Sequence, residues 1–165
     1  MAGRLVADAP EQAYGNEEAP HGSYAAFLAA YPVAFAGALI GARIAGRRLP
    51  TPGLGDIALF GVATHKVSRL LAKDKVTAPL RAPFAEYSDD GGPAEVEERP
   101  RGEGPRRAVG ELITCPYCLD QWVAGGFAAA SIFAPRATRL TASVFATVAI
   151  ADFLQMGYRL GQRAL

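Results

Sequence analysis

YAAFLAAYPVAFAGALIGA, residues 24–42, runs for nineteen residues without a charge. As a helix rising ~1.5 Å per residue it measures roughly 28 Å, close to the ~30 Å hydrocarbon thickness of a bilayer. Arg43, Arg47 and Arg48 follow at once, and Pro50 and Pro52 end the element. Within the stretch Ala26, Ala30, Ala34, Ala38 and Ala42 fall at steps of four, with Gly37 and Gly41 beside them as a Gly-x-x-x-Gly pair. Such a ridge lets a second helix backbone approach closely, which is how helices associate where lipid removes the hydrophobic driving force. Pro32 kinks the helix unless a neighbour satisfies the carbonyl it frees. The reading is a lipid-embedded helix at about 24–45, and it sets the expectation for the whole chain: an all-α, small integral membrane bundle of three to four short helices.

The flanking sequence is polar. Residues 1–22 carry Asp8, Glu11, Glu17 and Glu18 with little to bury, and read as a disordered acidic tail ahead of a single helical domain, 23–165. They are acidic rather than basic-then-apolar, unlike a secretory signal peptide. A second helix is expected at about 56–72, with Asp56 as its N-cap. Its far end carries His65, Lys66, Arg69 and Lys73, so it is expected to dip into the membrane surface rather than cross. Residues 86–110 are rich in Asp, Glu, Arg, Gly and Pro and read as a disordered charged insertion. Two more helices are expected, at about 116–134 and 140–160. The first again shows small residues at steps of four (Ala124 with Ala128, Gly125 with Ala129). The second holds one acid, Asp152, expected near an interface because a mid-membrane carboxylate costs about 2.5–3.5 kcal/mol.

With three crossings and the second helix on the surface, most Lys and Arg share one side. This places the N-terminus outside, and the charged loop and cysteines in the cytoplasm of a bacterial inner membrane. The alternatives are four crossings or a soluble helical bundle. A net charge of +1 argues against a nucleic-acid partner.

The compact chemical signal is Cys115-Pro116-Tyr117-Cys118, directly before the third long helix. Proline suits a first helical position and Cys115 then becomes the cap. Three readings stand: a redox pair, with Cys115 as nucleophile and Cys118 as resolving thiol in a membrane thiol-disulfide oxidoreductase; two ligands of a metal completed by His65 or His21; and reduced cysteines packed at an interfacial helix start. A helix N-terminus stabilises a thiolate by only about 0.3–1 kcal/mol, and Glu111 and Asp120 oppose it. One Cys-x-x-Cys supplies half of a structural zinc site. No phosphate loop, nucleophile elbow or His-Glu-x-x-His is present, no cofactor is implied, and the chain leans away from enzyme chemistry. Residues 69–84 alternate bases with apolar residues, and Pro79 and Pro83 forbid a continuous helix. Arg69, Lys73, Lys75 and Arg81 are candidates for anionic lipid headgroups or a protein partner, at about 1 kcal/mol per base near a membrane surface. The small-residue helix faces offer a further contact for a partner or a second copy.

Leu70-Leu71-x-x-Asp74-x-Val76-Thr77-x-Pro79-Leu80-Arg81-x-Pro83-Phe84 and Gly110-Glu111-Leu112-x-x-Cys115-Pro116-x-Cys118-x-x-x-Trp122 together resemble the bacterial membrane-protein family catalogued as domain of unknown function 1360, over roughly residues 55–158. The resemblance implies a small multi-helix protein of the cytoplasmic membrane and no particular activity. The expected function is a non-catalytic membrane scaffold that binds lipid or a protein through the basic segment and the Cys-Pro-Tyr-Cys helix start.

Overall fold

The computed structural model describes residues 21–163; the proposed tail lies, but for its last two residues, outside them. The chain is mostly helical with one small sheet. In order come α1 (His21–Ile44), α2 (Leu54–Ala72), a 3-10 turn (Lys75–Thr77), α3 (Ala78–Arg81), β1 (Ala85–Asp90), β2 (Val96–Pro100), α4 (Gly104–Thr114), α5 (Pro116–Phe133) and α6 (Pro135–Arg163).

Four of the helices are long: α1, α2, α5 and α6. Asp56 is not the cap of α2. Gly53 caps the helix with extended backbone, and the Asp56 carboxylate reaches back to accept the Gly53 N–H at 3.1 Å. Cys115 is the cap of α5, its sulfur accepting the Cys118 N–H at 3.2 Å, with Pro116 at the first helical position. Pro135 starts α6 directly after α5, which turns the chain back on itself.

α2 does not lie across its neighbours. Asp56 pairs with Arg139, Lys66 meets Asp152 at 2.9 Å, and His65 stacks on Phe153 with ring centres 5.9 Å apart. Position along α2 therefore advances with position along α6, and the two run parallel. Phe60 stacks on Phe127 at 5.7 Å, and Tyr117 lies close enough to Arg69 to act on its charge, so α2 runs antiparallel to α5. α1 runs parallel to α5: Tyr31 meets Trp122 edge-on at 5.5 Å, and Gly41 faces Phe133.

The packing is made by small residues. α2 buries Ala63, Thr64, Ser68 and Ala72, and α6 buries Thr138, Ala142, Ala146 and Ala149. Both sets recur at helical spacing, and α2 and α6 pack more extensively than any other pair of helices. The alanine ladder of α1 is used only near its end: Ala42 is buried, while Ala26, Ala30 and Ala34 are exposed. On α5 it is Gly125 that matters, since a Cβ there would stand 3.0 Å from the Tyr31 ring.

The expected disorder of residues 86–110 is corrected. Residues 85–100 form an antiparallel hairpin with a bulge between Tyr87 and Asp89, and residues 104–114 form α4. The Glu95 N–H donates to Gly92 O at 3.0 Å, closing a turn through Pro93 and Ala94, and Ala94 adopts φ 65°. Backbone bonds dock the hairpin to the end of α2: Val96 N–H donates to Lys73 O at 2.8 Å, and Lys75 N–H donates to Ala94 O at 2.9 Å. Ala85 and Val96 are the buried apolar residues of the hairpin, so its order comes largely from these bonds and from ion pairs.

Candidate functional site

Every basic residue proposed as a lipid or partner contact faces a carboxylate of the hairpin. Arg69 forms a fork with Glu95, its Nη2 donating at 2.7 and 2.6 Å to the two oxygens. Lys73 meets Glu97 at 2.7 Å and Lys75 meets Asp90 at 3.1 Å. Arg81 is 2% exposed and pairs with Glu98, itself nearly buried. Its guanidinium also donates to Leu71 O and Thr77 Oγ1, both at 2.7 Å, and to Asp74 O at 3.1 Å. Four bonds donated by one rigid fork thus tie α2, the 3-10 turn and β2 into one joint. These four bases do not make an open basic patch, and Arg81 is out of reach of a headgroup. Burial pushes the Asp74 carboxyl above the usual range, against Lys66 and Arg69, which pull it down.

The two separated sequence motifs meet here. A Cβ on Gly110 would stand 2.4 Å from Phe84 O and 3.1 Å from Pro100 Cβ, so α4 can lie against the base of the hairpin only with glycine at that position. Arg106 donates twice to Pro83 O, at 2.9 and 2.7 Å. Glu111 takes Arg107 at 3.0 Å and the Tyr24 hydroxyl, which fastens the start of α1 to α4. The joint, the hairpin and α4 form a cap over the end of α2 and the beginnings of α1 and α5.

Cys115 is half-buried and Cys118 exposed at the cap end of α5, both as free thiols. His65 stacks on Phe153 at a higher level of the bundle. Among the described residues no group of three or more His, Cys, Asp or Glu could hold a metal ion, so Cys115, Cys118 and His65 do not form one ligand set. His21 begins α1.

A second feature went unseen in the sequence. A groove of about 790 Å³ opens between α1, α2 and α5, closed at one end by the loop at residues 49–52. Its walls are apolar apart from a few side chains, Thr64, His65 and Asp120 among them. Thr64 and Asp120 were legible only as isolated polar residues on apolar helices, with nothing local to show that they share a cavity.

α1 and α6 are long and apolar enough to cross a membrane by length and composition. Only 6% of the apolar window of α1 and 17% of that of α6 is buried, unlike the core helix of a soluble protein. No solved structure matches the chain. The Sporulation protein YjcA of Bacillus subtilis (strain 168) is 30% identical over 102 residues, which cover 60% of this chain and 86% of that protein. A family model described as "Protein of unknown function (DUF1360)" matches residues 59–158, from the middle of α2 through the joint, cap and α5 to the last turns of α6. With the two motifs joined at Phe84 and Gly110 and well over half its length matched, the chain belongs to this DUF1360 family.

Proposed function

We propose that this protein is a multi-pass membrane scaffold whose four long helices all cross the bilayer and carry a salt-bridged, non-catalytic cap on the cytoplasmic face. One observation carries the reading: the chain is apolar on the outside and small within. Among the described residues eight of the eleven buried hydrophobic ones are alanine, whereas Leu28, Ile40, Ile44, Leu140, Ile150 and Leu154 are all more than half exposed. A soluble protein buries its large aliphatics and exposes no such continuous apolar belt. In lipid the preference reverses, because close backbone approach drives helix association and Leu or Ile faces acyl chains at no cost.

Four alternating crossings put the start of α1 and the cap on the same side, which differs from the three-crossing expectation. Lys73, Lys75, Arg81, Arg99, Arg101, Arg106, Arg107, Arg159 and Arg163 then lie on the cap side, against Arg43, Arg47, Arg48, Arg136 and Arg139 opposite. The bias assigns the cap to the cytoplasm. Because the bases are matched by hairpin acids, the cap suits a protein partner of mixed charge better than an anionic lipid surface. The exposed Ala26–Ala30–Ala34 ladder of α1 suits a second helix, from a partner or another copy. The oxidoreductase reading is the weaker one: thiols on a cytoplasmic face normally stay reduced, and the Cys115 sulfur is engaged as the helix cap that accepts the Cys118 N–H.

Sidedness tests the reading. In a background with both cysteines changed to serine, Thr51→Cys and Tyr87→Cys are exposed to a membrane-impermeant maleimide. The proposal expects labelling at 51 in intact cells, and at 87 only after the cells are opened. Labelling of both positions from one side would remove the crossing of α2.

A further inference from the structure

We infer that the groove between α1, α2 and α5 is a binding site for a lipophilic monocation, an alkyl- or arylammonium whose charged head meets Asp120 and Thr64. The first observation is two orphaned acceptors. Thr64 is 7% exposed and lines the groove, and its Oγ1 has no hydrogen-bond partner. Asp120 lines the same groove, and its Oδ1 is buried without a partner. An unpaired buried hydroxyl or carboxylate oxygen is costly to keep, more so when charged, so a site that keeps two of them is built to receive donors.

The second observation is charge. Asp56 at the far end is matched by Arg139. Among the described residues no ion pair joins Asp120, which leaves the groove with a formal charge of −1 when His65 is neutral. One cation restores neutrality. The third is shape and level. With Phe60 beside Phe127, and Arg69 near Tyr117, Thr64 on α2 and Asp120 on α5 fall at one level, toward the cap. An ammonium bound there donates to both oxygens, while its apolar body runs toward Phe35, Leu39 and Ile132, past the ring faces of Phe60 and Phe127. The volume holds a body of drug-like size. The groove is formed by the helices themselves, so the site does not depend on the number of membrane crossings.

The test uses the full chain in phosphatidylcholine nanodiscs, titrated calorimetrically with octylammonium and with octanol, and with empty discs subtracted. Saturable one-site binding of octylammonium is expected. Asp120→Asn should weaken it at least tenfold and Thr64→Val severalfold, with octanol binding unchanged by either. Asp120→Glu should restore most of the affinity, which a general loss of fold would not allow. Octylammonium heat no greater than in empty discs would overturn the proposal. So would equal affinity in the wild type and a folded Asp120→Asn protein, or octanol binding as tightly as octylammonium; if Asp120→Asn does not fold, unchanged affinity in Thr64→Val decides against it.

Discussion

Replacing Arg81 by alanine should undo the cap while leaving the long helices intact. The side chain is 2% exposed, and it pairs with a Glu98 side chain that is only 7% exposed. Its removal strands the Glu98 charge in a poorly solvated place and takes a donor from Leu71 O, Thr77 Oγ1 and Asp74 O, the last of which keeps the Thr77 N–H and hydroxyl. Breaking a buried pair by removing one partner costs about 3–5 kcal/mol. Because the pair bridges α2 and β2, the loss falls on hairpin docking. Amide exchange reads it directly: the Val96 N–H bonded to Lys73 O should lose roughly two to nearly four decades of protection, since each decade is about 1.36 kcal/mol. Amides in the middle of α5 and α6 should keep theirs. The double variant Arg81→Met with Glu98→Leu should recover much of the loss, because an apolar pair leaves no uncompensated charge. If Arg81→Ala changes Val96 protection less than tenfold, the joint is not what orders the cap.

The same geometry makes two other predictions. Gly110→Ala places a methyl 2.4 Å from Phe84 O and should destabilise the cap by about 1–3 kcal/mol, seen as faster proteolysis of the hairpin; an unchanged cleavage rate would mean the two motifs are not in contact. Cys118 is exposed and Cys115 only half-buried at the start of α5, so in opened membranes Cys118 (in Cys115→Ser) should alkylate severalfold faster than Cys115 (in Cys118→Ser), with equal rates counting against this placement of the pair.

The sequence disclosed α1 because a charge-free run of nineteen residues admits few alternatives, the other long helices through shorter apolar stretches bounded by charges and prolines, and the Cys115 cap because Pro116 is preorganised for the first helical position of α5. It concealed the hairpin for an equally physical reason. Strands β1 and β2 carry charge on both faces and bury only Ala85 and Val96, so no period-two apolar pattern marks them. They are ordered by acids that match bases 15 to 26 residues earlier, and such pairing has no local signature. Asp90-Gly91-Gly92 between two polar runs was the available turn signal. The same masking applied to the bases: Arg69, Lys73, Lys75 and Arg81 read as an open patch until Glu95, Glu97, Asp90 and Glu98 are folded back on them. The small faces of α2 and α6 were equally hidden, since Ala63, Ser68, Ala142 and Ala146 gain meaning only once the two helices are known to touch.

The membrane assignment rests on exposed Leu and Ile around a core of alanine, and alkaline carbonate extraction of native membranes tests it most directly. The full-length protein should stay wholly in the pellet after carbonate and move to the supernatant only with detergent, because ion pairs dissolve in carbonate and bilayer-spanning helices do not leave. Release into the carbonate supernatant as a monodisperse species would contradict the account, and the exposed apolar belt would then need a protein to cover it.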